Sequence, residues 1–161
     1  MSPDATRRLK VLLRTRAGND RRDLLAELLQ GISDHSTAGS WAILLPETAD
    51  PIRELMIAAY QEGAVHRRIT PVRVETGDEL AALAQHFLGN LPPDESMYVH
   101  LTESDRIGVL ECSVDVLRHA VIPLLDFDGD GVLSTRTDMS SGFRMDRTVD
   151  NSTELLEFET W

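Results

Sequence analysis

The chain has 161 residues, 42% hydrophobic and 27% charged. That composition excludes a disordered chain and leaves enough length for one domain with a core that needs neither metal nor disulfide. Its formal net charge is −11, and Cys112, the one cysteine, excludes an intrachain disulfide and a cysteine-based zinc cluster. The charge is uneven: residues 1–75 carry 11 basic and 10 acidic side chains, residues 76–161 carry 5 basic and 17 acidic. So acidic a second half repels phosphates, which argues against a nucleic-acid ligand.

Residues 1–31 read as a basic helical hairpin. Ser2-Pro3-Asp4 opens a helix as cap, first-turn proline and acid. Leu9, Leu12 and Leu13 form its apolar stripe, and Gly18 can end it. Leu24, Leu25, Leu28 and Leu29 recur at helical spacing up to Gly31. Seven basic side chains in the first 22 residues face either an acidic surface, a partner's or the chain's own, or solvent. Lys10 is the one lysine among 16 basic residues, a bias that suits a GC-rich bacterial genome.

Residues 41–101 read as strand, helix, strand, helix, strand. Trp41–Pro46 is an apolar run of strand length, and Asp50-Pro51 opens a helix with Ile52, Leu55, Met56, Ala59 and Tyr60 on one face. Ile69, Val72 and Val74 suggest a second strand, in which Pro71 favours an edge. Thr76 to Glu79 is a capping box before a helix closed by Gly89, and Met97–Leu101 is the third strand. This order predicts a short parallel βαβαβ unit. Beyond it, Ile107–Cys112 reads as a strand and Ser113 caps a short helix through His119. Val121–Phe127, Val132–Thr135, Phe143–Arg147 and Leu155–Trp161 read as extended runs of an acidic antiparallel meander over 107–161. The fold class is therefore α/β (α+β): helical hairpin, parallel unit, meander.

No apolar run approaches the roughly 20 residues that cross a bilayer, and MSPDATRRLK lacks an apolar segment of signal-peptide type. A cytoplasmic protein with no membrane partner is expected. Cys112 lies in an apolar stretch and reads as a small hydrophobe. His35, His66, His86, His100 and His119 show no metal-ligand spacing, and no GxSxG elbow or glycine-rich phosphate loop is present.

The run VIPLLDFDGDGVLSTRTD concentrates Asp126, Asp128 and Asp130 at alternate positions, followed by Gly131. It resembles the first half of an EF-hand calcium loop, although Thr137 stands where that loop has its bidentate glutamate. The same residues can make a tight hairpin with an Asp-Gly turn. An apolar strand ending in Asp-x-Asp also resembles the opening motif of haloacid-dehalogenase-type phosphatases, which implies Asp126 as nucleophile and Asp128 as acid/base; only 33 residues follow Asp128 here. The order resembles Toprim domains too, with Glu75 joining Asp126 and Asp128 around magnesium for phosphoryl transfer. Thr76 displaces the glycine that usually follows that glutamate.

Two functions follow as expectations. The first is a non-enzymatic protein whose acidic half, through Asp138, Asp146, Glu154, Glu157 and Glu159, binds a basic protein partner. Small acidic immunity proteins that cover bacterial toxins share this charge and size. The second is calcium or magnesium binding at Asp126, Asp128 and Asp130; otherwise no cofactor is expected. A further reading makes residues 1–31 a docking arm for an acidic target.

Overall fold

The computed structural model of the chain describes residues 3–35, 39–63, 68–73, 77–150 and 153–161. Its centre is a seven-stranded sheet in the order β1-β4-β3-β5-β6-β7-β2, antiparallel at every step. In chain order the elements are α1 (Pro3–Ala17), α2 (Asn19–Ser33), β1 (Trp41–Leu44), α3 (Pro46–Glu62), β2 (Arg68–Arg73), α4 (Gly77–Gly89) and β3 (Ser96–Leu101). Then come α5 (Ser104–Ile107), β4 (Val109–Ser113), α6 (Val114–Asp128), β5 (Gly131–Arg136), β6 (Gly142–Asp150) and β7 (Thr153–Thr160). The fold is mixed α/β, with helices first and a β5-β6-β7 meander last.

The parallel βαβαβ unit is corrected. β1, β2 and β3 run in one direction but never touch: β4 lies between β1 and β3, and β2 pairs with β7 at the far edge. Helix-strand alternation fixes the direction of successive strands, not their neighbours. Later strands filled the gaps and made every ladder antiparallel. Strands from 41–101 and from 107–161 thus share one sheet. Pro71 does lie in an edge strand, opposite Glu157 of β7, the position in a sheet where proline is tolerated.

Alternation along the strands gives the sheet two faces. Met97, Val99 and Leu101, Leu110 and Cys112, Val132, Phe143 and Met145, and Leu156 and Phe158 are buried on one. Against them pack α2 through Leu25 and Leu29, α4 through Leu80, Ala84 and Leu88, and α6. Each fully buried leucine there stabilises the fold by about 2 kcal/mol. The opposite face carries α3, with Ala49 and Met56 packed on Val109 and Leu133.

The largest local correction is α6. Val121–Phe127 is not a strand; it is the second half of a helix that runs through Pro123 to Asp128. Val114, Leu117, Val121, Leu124 and Leu125 keep helical spacing across it, and all are buried. Ser113 is the cap the sequence implies: its hydroxyl accepts from the Val116 N–H. Gly129, at φ 79°, ends the helix in the left-handed conformation. α3 also begins earlier than its Asp50-Pro51 signal, at Pro46, so Pro51 lies inside it.

The hairpin's two helices diverge. α2 lies on α6, whereas α1 lies on α5 and α3. Gly18 sits between them, where an added Cβ would meet the Arg106 carbonyl oxygen at 2.3 Å. Two of the hairpin arginines meet the chain's own second half. Arg21 donates to Glu103 (3.1 Å) and to the Phe127 carbonyl (2.7 Å), and stacks on the Phe127 ring. Arg22 donates to the carbonyls of Ile107 and Arg106.

Candidate functional site

α3 covers only part of its face of the sheet. Beside its last turns, at Tyr60, a cleft of about 430 Å³ opens over β5 and β6. It is lined by Tyr60, His100, Asp130, Leu133, Arg144 and Asp146, with Thr102 at its edge. The register explains the set. Arg144 and Asp146, two apart on β6, share a face, and the pairs Leu133↔Arg144 and Gly131↔Asp146 bring β5 alongside. On β7, Glu159 lies opposite Arg144 and Glu157 opposite Asp146.

Arg144 is the hub. Its guanidinium donates to Asp146 and to the Tyr60 hydroxyl (3.0 Å), and Glu159 Oε1 lies 3.6 Å from it. The Tyr60 hydroxyl donates in turn to Glu159 Oε2 at 2.9 Å. Glu159 is buried. Burial disfavours the Arg144 charge, but Asp146, Tyr60 and Glu159 outweigh it and hold its pKa above the ordinary value. Burial pushes Asp146 up; Arg144 pulls it down without cancelling that rise, and Asp130 and Glu159 add to it. Arg144 is thus shared between Asp146 and Glu159, and the Asp130 carboxylate adds to the negative charge around Asp146.

His100, half-buried at the back of the cleft, has a pKa held below the usual imidazole range. Burial is the main cause and the nearby Arg53 charge the next, against an opposing pull from Asp128 and Asp105. The unfolded chain then takes up a proton near pH 6.5 that the folded chain refuses. His100 costs no stability above that pH, and stability falls as the pH drops below it toward the lowered folded value. Replacing His100→Gln is expected to flatten the loss of stability between pH 7 and pH 5.5, read from urea midpoints at each pH. An unchanged slope would mean that His100 titrates freely.

The three aspartates of the DFDGD run do not converge. Asp126 and Asp128 sit two apart on α6, about 200° around the helix. Asp126 is largely exposed, with Arg147 at 3.5 Å. Asp128 is a structural clasp: it accepts from the Thr102 N–H (2.9 Å), the Thr102 hydroxyl (2.7 Å) and the Gly131 N–H (3.0 Å), tying the end of β3 to the start of β5. Asp130 alone lines the cleft. No group of three or more His, Cys, Asp or Glu side chains among the described residues is placed to hold a metal ion. Glu75 lies outside the described residues, as do His66 and Thr76.

Of the acids expected to face a partner, Asp146, Glu157 and Glu159 share the cleft side. Asp138 stands apart on the β5–β6 turn, where its carboxylate accepts from the Ser140 hydroxyl and N–H. Those bonds, with Arg136 nearby, hold its pKa below the usual range. The Glu154 side chain lies outside the described residues. Alternation along β7 places Phe158 on the opposite face, stacked on Phe143. Trp161 shares the side of Glu157 and Glu159, edge-on to Tyr60 at 5.4 Å. The parity of its number gives that side directly.

Tyr60, His100 and Arg144 are the site residues that sequence reasoning passed over. The signal for Arg144 was the spacing Arg144-x-Asp146 beside Glu157-x-Glu159, two strand faces that need only the β6–β7 register to meet. Cys112 is buried, its thiol pushed up to about 12 by that burial and by Glu111, as expected of a small hydrophobe. No helix among the described residues is long and apolar enough to cross a membrane. Comparison with protein-family models, with curated proteins and with solved structures finds no match to this chain.

Proposed function

We infer that this is a non-enzymatic cytoplasmic protein that receives a basic segment of a protein partner in the cleft beside α3, to neutralise or regulate that partner. The observation that carries the reading is the charge balance of the cleft side. Asp130 and Asp146 line the cleft and Glu157 and Glu159 share its side of the sheet, whereas Arg144 is the one arginine among the described residues that line it. A guanidinium or ammonium entering there would relieve the carboxylate repulsion that Arg144 leaves, while Tyr60 and Leu133 offer it an aromatic and apolar wall. Glu95 and Glu103, by contrast, each have an arginine of their own, Arg136 at 2.5 Å and Arg21 at 3.1 Å. On the cleft side one guanidinium, that of Arg144, is shared between Asp146 and Glu159.

Titration with an arginine-rich peptide tests this. Binding is expected to weaken at least tenfold between about 50 mM and about 300 mM salt. The double variant Asp130→Asn, Glu157→Gln is expected to weaken it by a similar factor at low salt. Glu157→Gln leaves the Arg144 network in place. Binding that ignores both salt and these substitutions would place the peptide elsewhere.

A further inference from the structure

The apolar stripe of α1 faces the wrong way for a core. Leu9, Leu12 and Leu13, one helical face by their spacing, are 44%, 66% and 58% exposed. None of the described α1 residues is buried. The helix is held to the body by its other side, where Arg14 donates to Asp50 at 2.7 Å and Val11 is half-buried. Around the leucines, Arg7, Arg8, Lys10 and Arg16 are exposed, with Asp4 as the one acid of the helix. α1 thus presents an outward, basic, leucine-bearing face, the counterpart of a cleft with carboxylates and an aromatic wall.

We propose that α1 of one copy docks its Leu9, Leu12 and Leu13 face across the acidic cleft of a second copy. This rests on the cleft reading above and names its basic segment. Charge selects the occupant. Two α1 helices pairing with each other would bring like charges together, whereas the cleft offers the opposite sign. α1's own cleft is not its target: α1 is pinned at Asp50, and the cleft opens at Tyr60, about 15 Å further along α3. The contact is head to tail, so a pair joined by one such contact leaves one α1 and one cleft unused. Association therefore continues to larger species or closes into a ring.

Sedimentation of the full chain over a concentration series tests the proposal. The expected result is a mass that rises with concentration and falls with salt. Leu12→Glu with Arg16→Glu on α1, and separately Asp130→Asn with Glu157→Gln in the cleft, should each weaken association at least tenfold. Leu9→Gln with Leu13→Gln should do the same and guards against an effect of the first pair on folding, which circular dichroism also checks. Mixing the α1 variant with the cleft variant should restore one capped dimer, because an intact cleft then meets an intact α1. A chain that stays monomeric at every concentration overturns the proposal. So does association that survives both variants, or binding of α1 to anionic phosphatidylserine vesicles in place of self-association. If the α1 variant still binds the arginine-rich peptide while the chain does not self-associate, only this proposal falls. Loss of both removes the cleft reading as well.

Discussion

Arg144→Met is expected to destabilise the fold by about 2–4 kcal/mol at pH 7, and by much less near pH 4. The substitution keeps most of the side-chain volume and removes the charge. It leaves Asp146, whose side chain is 20% exposed, without its guanidinium, and takes one partner from Glu159, which is 5% exposed and keeps the Tyr60 hydroxyl. It also removes the donor to the Tyr60 hydroxyl. Half-desolvated and without its guanidinium, the Asp146 carboxylate would bind a proton more tightly folded than unfolded. Its folded pKa, already raised by burial, rises further once Arg144 is gone, so the deficit is largest above that value and shrinks as the pH falls through it. A loss of packing would show no such recovery. Urea unfolding of both proteins at several pH values measures it. A pH-independent deficit, or none, would mean that Arg144 is not what offsets the carboxylates.

Gly108→Ala is expected to cost about 4 kcal/mol or more and to strip the β1 edge from the sheet. Gly108 links α5 to β4 at φ 106° and ψ −169°, a region that side-chain-bearing residues scarcely enter. An added Cβ would also lie 1.9 Å from the Leu44 carbonyl oxygen, backbone that cannot rotate away. β1 would have to leave β4, exposing Ile43 and Leu44. Gly129→Ala is the control: its φ of 79° is also left-handed, but nothing lies within 4 Å of the added carbon. It should cost only about 1–2 kcal/mol. Equal midpoints for the two variants would contradict the β1–β4 approach.

What the sequence made legible follows its local signals. Alternation showed β3, β5, β6 and β7; the Ser113 cap and the glycine stops bounded helices; Pro71 marked an edge. Adjacency in the sheet was not legible. The insertion of β4 between β1 and β3, and the return of β7 to β2, depend on which apolar faces meet in three dimensions. Val121–Phe127 misled for a physical reason. A run buried on most sides is continuously apolar, so period 2 and period 3.6 both fit, and Pro123 tips the choice toward a strand. Once that run is helical, Asp126 and Asp128 diverge, and the metal-loop resemblance loses the geometry it needs. The cleft was half legible. Its carboxylates were named, but Tyr60, His100 and Arg144 come from three elements that the register alone unites.

The central claim is that the carboxylate excess beside α3 is a receptor for positive charge. Calorimetric titration of the full chain with an arginine-rich peptide, in parallel with Asp130→Asn, Glu157→Gln, addresses it most directly. One saturable site is expected, which the double variant weakens at least tenfold and added salt weakens alike. Equal affinity for both proteins, or no binding at low salt, would contradict it.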